Sequence, residues 1–125
     1  MAYSPIGRGW LTGDLRKFDD LPQNDFRRML PRFKPDAFDQ NFKLVEAIEQ
    51  IAKRKGTTTA QVAIGWVCYQ GAIPIPGSTK VERVIENCKA ASLTDKDMAD
   101  IQKILNTLLV SGERYGGAHE KLLNY

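Results

Sequence analysis

The spacing of apolar and polar positions changes several times along the chain, and each change marks an element. Ala2-Tyr3-Ser4-Pro5-Ile6 is a short β-like stretch running into a glycine-rich turn at Gly7-Arg8-Gly9 and Gly13. From Asp14 to Asp39 no period survives. Pro22, Pro31 and Pro35 interrupt it and Asp19-Asp20 and Arg27-Arg28 make it polar, so a long loop is expected. Helical spacing begins at about Asp39, with Phe42, Val45, Ile48, Ile51 and Ala52 on one face and Gly56 as the stop. Thr58, with Gln61 three residues on, forms a capping box for a second helix running to Cys68. That helix is apolar on most of its surface, so it belongs between other elements, and Gly71 ends it.

Ala72-Ile73-Pro74-Ile75-Pro76 reads as a second short strand, which its two prolines place at an edge. Gly77-Ser78-Thr79 then leads into a third helix, with Val81, Val84, Ile85 and Cys88 at i, i+3, i+4 and i+7. Ser92-Leu93-Thr94 caps a fourth, whose face is Met98, Ile101, Ile104, Leu105 and Leu108. An irregular tail follows from Ser111 to Gly117. Two strands separated by helical crossovers imply a parallel pair.

The 125 residues amount to one domain, residues 1–125. At 42% hydrophobic and 26% charged, the composition is that of a soluble globular protein, and the order of strands and helices makes it α/β. No apolar run is long enough to cross a membrane, and the N-terminus lacks the pattern of a secretory signal. Cys68 and Cys88 are too few and too far apart for a disulfide scaffold or a metal site. They point to core positions on apolar faces and to a reducing, cytoplasmic setting. The net charge of +3 is dispersed among Arg27-Arg28, Lys53-Arg54-Lys55 and Lys80/Arg83, with acidic residues between. That is a solvated surface rather than a nucleic-acid footprint.

The strongest chemical signal is Ile73-Pro74-Ile75-Pro76-Gly77-Ser78-Thr79-Lys80, followed by Arg83, Glu86 and Asn87. A strand ends, a glycine opens the backbone, and a helix starts beside two hydroxyls and two cations. Such a place suits an anion. The residues alone leave a plainer reading open, in which Ser78 or Thr79 is an N-cap and Arg83 is a solvated helix residue.

Three blocks in order resemble the aldo-keto reductases, NADP(H)-dependent oxidoreductases with a (β/α)8 barrel. They are Ala2 to Gly13, Thr58 to Gly71 and Ile73 to Asn87. Phe26-Arg27-Arg28-x-x-Pro31-Arg32-Phe33 and Gly112-Glu113-Arg114-Tyr115 further resemble fungal and plant members of pyridoxal-reductase type. The resemblance implies the C-terminal part of the barrel, its last two βα units plus C-terminal helices. It assigns Tyr3 to stacking on the nicotinamide, and Ser4, Ile6, Gly7 and Leu11 to the pyrophosphate turn. Gly77, Ser78, Thr79 and Lys80 become the cradle of the adenosine 2′-phosphate, with Arg83 beside it and Glu86 and Asn87 facing the adenine. Two cations at that place favour NADP over NAD.

The family's Asp, Tyr, Lys and His tetrad corresponds to no segment here, so the expectation is a truncated barrel lacking a general acid and inactive alone. Tyr69, expected within a buried helix, Tyr115 and Tyr125 in the tail, and His119 do not stand in for it. Incomplete strand pairing would leave the Trp66/Val67 and Val84/Ile85 faces partly exposed. A complementary barrel half or self-association would cover them. The alternative from another class is a small helical interaction protein, or a remnant with a vestigial cofactor loop.

Overall fold

The computed structural model describes residues 1–120. Tyr125 lies outside the described residues. Ala2–Tyr3 (β1) and Pro74–Ile75 (β2) pair in parallel, Ala2 opposite Pro74 and Tyr3 opposite Ile75. The helices are Pro35–Lys55 (α1), Thr59–Tyr69 (α2), Val81–Asn87 (α3), Asp95–Thr107 (α4) and Gly117–Glu120 (α5). None among the described residues is long and apolar enough to cross a membrane.

Two apolar clusters hold these elements together. In the first, Ile48, Ile51 and Ala52 of α1 meet Val62 of α2, Ala91, and Ile101 of α4. The capping box that starts α2, Thr58 with Gln61, is formed as the sequence suggests, and at the start of α4 Thr94 caps with Asp97 completing a second box. Gly65 lets α2 approach the chain around Ala91, for a Cβ there would lie 2.2 Å from the Ala91 carbonyl oxygen. Asp97 is buried in this region and receives Lys55 Nζ at 2.6 Å and Arg54 Nη2 at 3.1 Å. The Lys55 ammonium, the Thr94 backbone N–H, the Thr94 hydroxyl and Arg54 together outweigh burial and hold its carboxyl well below the usual range.

The second cluster shows that the long segment expected from Asp14 to Asp39 is an ordered one. Trp10, Leu21 and Phe33 pack on Phe38 and Val45 of α1, with the Trp10 and Phe33 rings edge to face at a centroid distance of 4.9 Å. Residues 18–33 wind into short 3-10 turns that bury these side chains without any helical or strand period. One turn is capped by the Asp25 carboxylate, which accepts from the Arg27 N–H at 2.9 Å. Pro35 is not an interruption but the first residue of α1, where its fixed φ and missing N–H do no harm. Asn41 on α1 then clasps the tail. Its amide donates to Arg32 O at 3.0 Å and Ser111 O at 2.9 Å, while its oxygen accepts from Ser111 N at 2.7 Å.

Three other expectations change. Cys68, near the end of α2, and Cys88, just after α3, are exposed rather than in the core. Tyr69, at the end of α2, is 48% exposed and donates its hydroxyl to Asp95 rather than lying buried. Val67 is buried rather than partly exposed, whereas Trp66 is only partly buried and Val84 and Ile85 are exposed, as anticipated.

Candidate functional site

The turn after β1 and the chain after β2 lie side by side because their strands do, and an open cleft of about 650 Å³ separates them. Tyr3, Ser4 and Ile6 line one wall. Gly77, Ser78, Thr79, Lys80, Arg83 and Asn87 line the other. Nine of the twelve residues singled out from sequence are thus brought together, from positions about seventy residues apart.

Gly7, Leu11 and Glu86 stand off these walls. The Gly7 N–H donates to Ser4 O at 3.0 Å and the Leu11 N–H to Ile6 O at 3.2 Å, so both shape the turn. The turn is tightly wound: Ser4 and Arg8 join Gly7 and Gly9 at positive φ. Glu86 is half-buried beneath the cleft and holds Arg83 Nη1 at 2.8 Å. Burial resists its ionisation, but the Thr58 hydroxyl and the Arg83 guanidinium prevail and keep its carboxyl below the ordinary range. Reciprocally, the hydrogen bond to Glu86 raises the pKa of Arg83.

The helix after β2 starts later than expected. Lys80 is the residue before its first turn, and α3 runs only from Val81 to Asn87. Ser78 and Thr79 therefore precede the helix. The Ser78 Oγ accepts from the Lys80 N–H at 3.1 Å, closing a tight turn that presents Lys80 to solvent. Among the described residues Lys80 forms no ion pair. Its charge, the hydroxyls and Arg83, rather than the dipole of so short a helix, make this wall attractive to anions. A Cβ on Gly77 would meet nothing within 4 Å, so the cradle is open.

Sequence reasoning missed several groups. Asp14 reaches across to Arg83, while Arg8, Thr12 and Arg27 complete the first wall. Arg27 is held by Asp25 at 2.6 Å and donates to Arg8 O at 2.9 Å. Its guanidinium, by hydrogen bonding, keeps the Asp25 carboxyl below its usual pKa despite partial burial. The Arg27-Arg28 pair and the nearby Asp25 were visible as charges, but nothing in their spacing said that the loop folds back. Tyr3, 45% exposed, carries the Arg114 guanidinium 4.3 Å from its ring centroid.

A parallel strand pair with helical crossovers and a polar cleft beyond the strand ends defines an α/β protein of the kind that binds ligands at strand termini. The sequence profile of the Aldo/keto reductase family matches residues 1–106, and the chain belongs to that family. It is 38% identical over 119 residues to an aldo-keto reductase of Gibberella moniliformis, covering 92% of this chain and 36% of that protein. It is likewise 38% identical over 118 residues to aldo-keto reductase str7 of Strobilurus tenacellus, with 91% and 35% covered. Aldo-keto reductase yakc [NADP(+)] of Schizosaccharomyces pombe is 38% identical over 127 residues, with 98% and 37% covered. The fold matches the glycerol dehydrogenase AKR11B4 of Gluconobacter oxydans with a TM-score of 0.77 at 26% identity, over 89% of this chain and 35% of that one. The chain spans about a third of the length of the curated relatives it matches.

Proposed function

We propose that this chain forms the cofactor-binding part of an NADP-dependent aldo-keto reductase, corresponding to the last two βα units of the barrel and the helices after them. The observation that carries this reading is the cleft itself, where the turn after β1 and the cationic turn after β2 face one another across about 650 Å³. Bound there, NADPH supplies a hydride for reducing a carbonyl group. The name of the Schizosaccharomyces pombe relative, which includes NADP(+), agrees with this choice of dinucleotide.

The chain's own residues position the cofactor. Ser4 and Ile6 border the pyrophosphate, with the Gly7 and Leu11 turn holding them in place. Lys80, Ser78 and Thr79 engage the 2′-phosphate beside the open Gly77, while Arg83 and Asn87 border the adenine and Glu86 orients Arg83 from below. Arg114 covers one face of Tyr3, and the other is left for the nicotinamide. Carbonyl reduction further needs a proton donor, which the family supplies from sequence that this chain does not span. The chain alone therefore binds cofactor without turnover. The exposed Val81, Val84 and Ile85 are apolar enough to pack against further barrel structure or a second copy. Two exposed thiols suit a reducing, cytoplasmic setting.

Titration of the purified chain with NADPH, followed by nicotinamide fluorescence, tests this. Micromolar binding with NADH at least about tenfold weaker is expected, as one charged phosphate contact implies. Equal affinity for the two dinucleotides would remove the role given to Lys80. No binding by a folded chain that forms a discrete oligomer would favour an interaction protein instead.

A further inference from the structure

We propose that a second pocket, beside the cleft, binds a small monocarboxylate with an apolar body. This pocket, about 220 Å³ in volume, lies between the turn after β1, the Pro31–Phe33 turn and the tail. Trp10, Leu11, Phe33 and Leu44 give it apolar walls, and three arginines, Arg8, Arg32 and Arg114, border it. Among the described residues no acidic one lines it. The volume suits a ligand smaller than a typical drug.

The state of those arginines points to an anion. Of the arginines outside the pocket, Arg16, Arg27, Arg54 and Arg83 each have a carboxylate partner, and Arg28 donates to the Leu21 carbonyl. Among the described residues, Arg8, Arg32 and Arg114 form no ion pair, and all three are half-buried. The Arg8 guanidinium lies 4.2 Å from the Tyr115 ring centroid and that of Arg114 lies 4.3 Å from the Tyr3 centroid, so aromatic faces orient both. Arg32 Nε donates to Gly112 O at 3.1 Å. Each group retains N–H donors beyond these contacts. Glu120, which feels the charge of Arg32, already accepts the backbone N–H groups of Arg114, Tyr115 and Gly116 at 3.2, 2.7 and 3.3 Å.

The convergence is built into the fold. Gly112, at a φ of 85°, lies so close to the Pro31–Arg32 turn that a Cβ would meet the Pro31 backbone at 2.8 Å, and Asn41 holds Ser111 from the other side. Three like charges held together in a half-buried site repel one another, and a carboxylate relieves that repulsion through bidentate hydrogen bonds. This inference does not rest on a dinucleotide filling the cleft. The two cavities share only Ser4, Pro5 and Arg8.

Calorimetric titration of the full chain with benzoate, and with benzamide as its neutral counterpart, tests the proposal. Benzoate is expected to bind at least about tenfold more tightly than benzamide, with or without saturating NADP+. Arg114→Gln should reduce benzoate affinity by about tenfold. Equal binding of the two probes, or no binding of benzoate, would overturn it. So would inorganic phosphate binding as well as benzoate with both displaced by NADP+, which would assign the charges to the dinucleotide's phosphates. If Arg114→Gln fails to fold, the benzoate and benzamide comparison on the unaltered chain still decides.

Discussion

Arg83 Nη2 lies 2.5 Å from Asp14 Oδ2, an ion pair that joins the turn after β1 to the helix after β2 across 69 residues of sequence. The pair spans the cleft that we assign to the dinucleotide, so it opposes an incoming phosphate for the same guanidinium. Asp14 is largely exposed in this pair, which limits its strength. Asp14→Asn is therefore expected to tighten NADPH binding by about two- to fivefold. Arg83→Ala should weaken it by about tenfold or more. Fluorescence titration of both variants checks the opposite signs, and a loss of affinity in Asp14→Asn would mean that the pair organises the site instead.

Lys80 is exposed on the same wall as Arg83. Reversing its charge in Lys80→Glu is expected to lower affinity for NADPH by about a hundredfold while changing that for NADH much less. Isothermal titration with both dinucleotides measures the contrast. An equal fall for the two would place Lys80 near a phosphate they share.

Asp97 gathers Lys55, Arg54 and the Thr94 cap at the junction of α1 and α4. Its folded pKa lies below the ordinary 3.8, so the unfolded chain takes up a proton at higher pH than the folded one. The stabilisation is complete above that ordinary value and is lost as pH falls through the window below it. Asp97→Asn is expected to cost about 1–3 kcal/mol at neutral pH, from the weakened cap and the cations left unpaired. Urea unfolding at pH 7 and near pH 3 should show the difference shrinking in acid.

Gly65 faces the Ala91 carbonyl with no room for a Cβ. An alanine favours helix on propensity alone, by about 1 kcal/mol. Displacing that backbone contact outweighs the gain, and Gly65→Ala is expected to destabilise the chain by about 1–3 kcal/mol. Thermal denaturation should show Tm lowered by several degrees; an unchanged Tm would mean that the Ala91 segment yields easily.

Elements whose signals are local were legible in the sequence. Thr58 with Gln61 and Thr94 need only their own turn to form a cap, and the parallel pairing of Tyr3 with Ile75 follows from the crossover rule. Cys88 shows the limit of periodicity, which identifies an apolar stripe on α3 but not whether another element covers it. Leu21 and Phe33 show another, since 3-10 turns bury side chains at no fixed interval. Within the cleft, residues in the two turns could be named from sequence, whereas Asp14 and Arg27 enter it through long-range folding that no short motif encodes.

The clasp made by Asn41 has a bearing on how this surface comes apart. A single carboxamide fastens both the Arg32 backbone and Ser111, so the two ribbons of chain it grips must be released as one event rather than in succession. Arg32 and Arg114 ride on those ribbons. Shortening that one side chain would thus unlatch both arginines together.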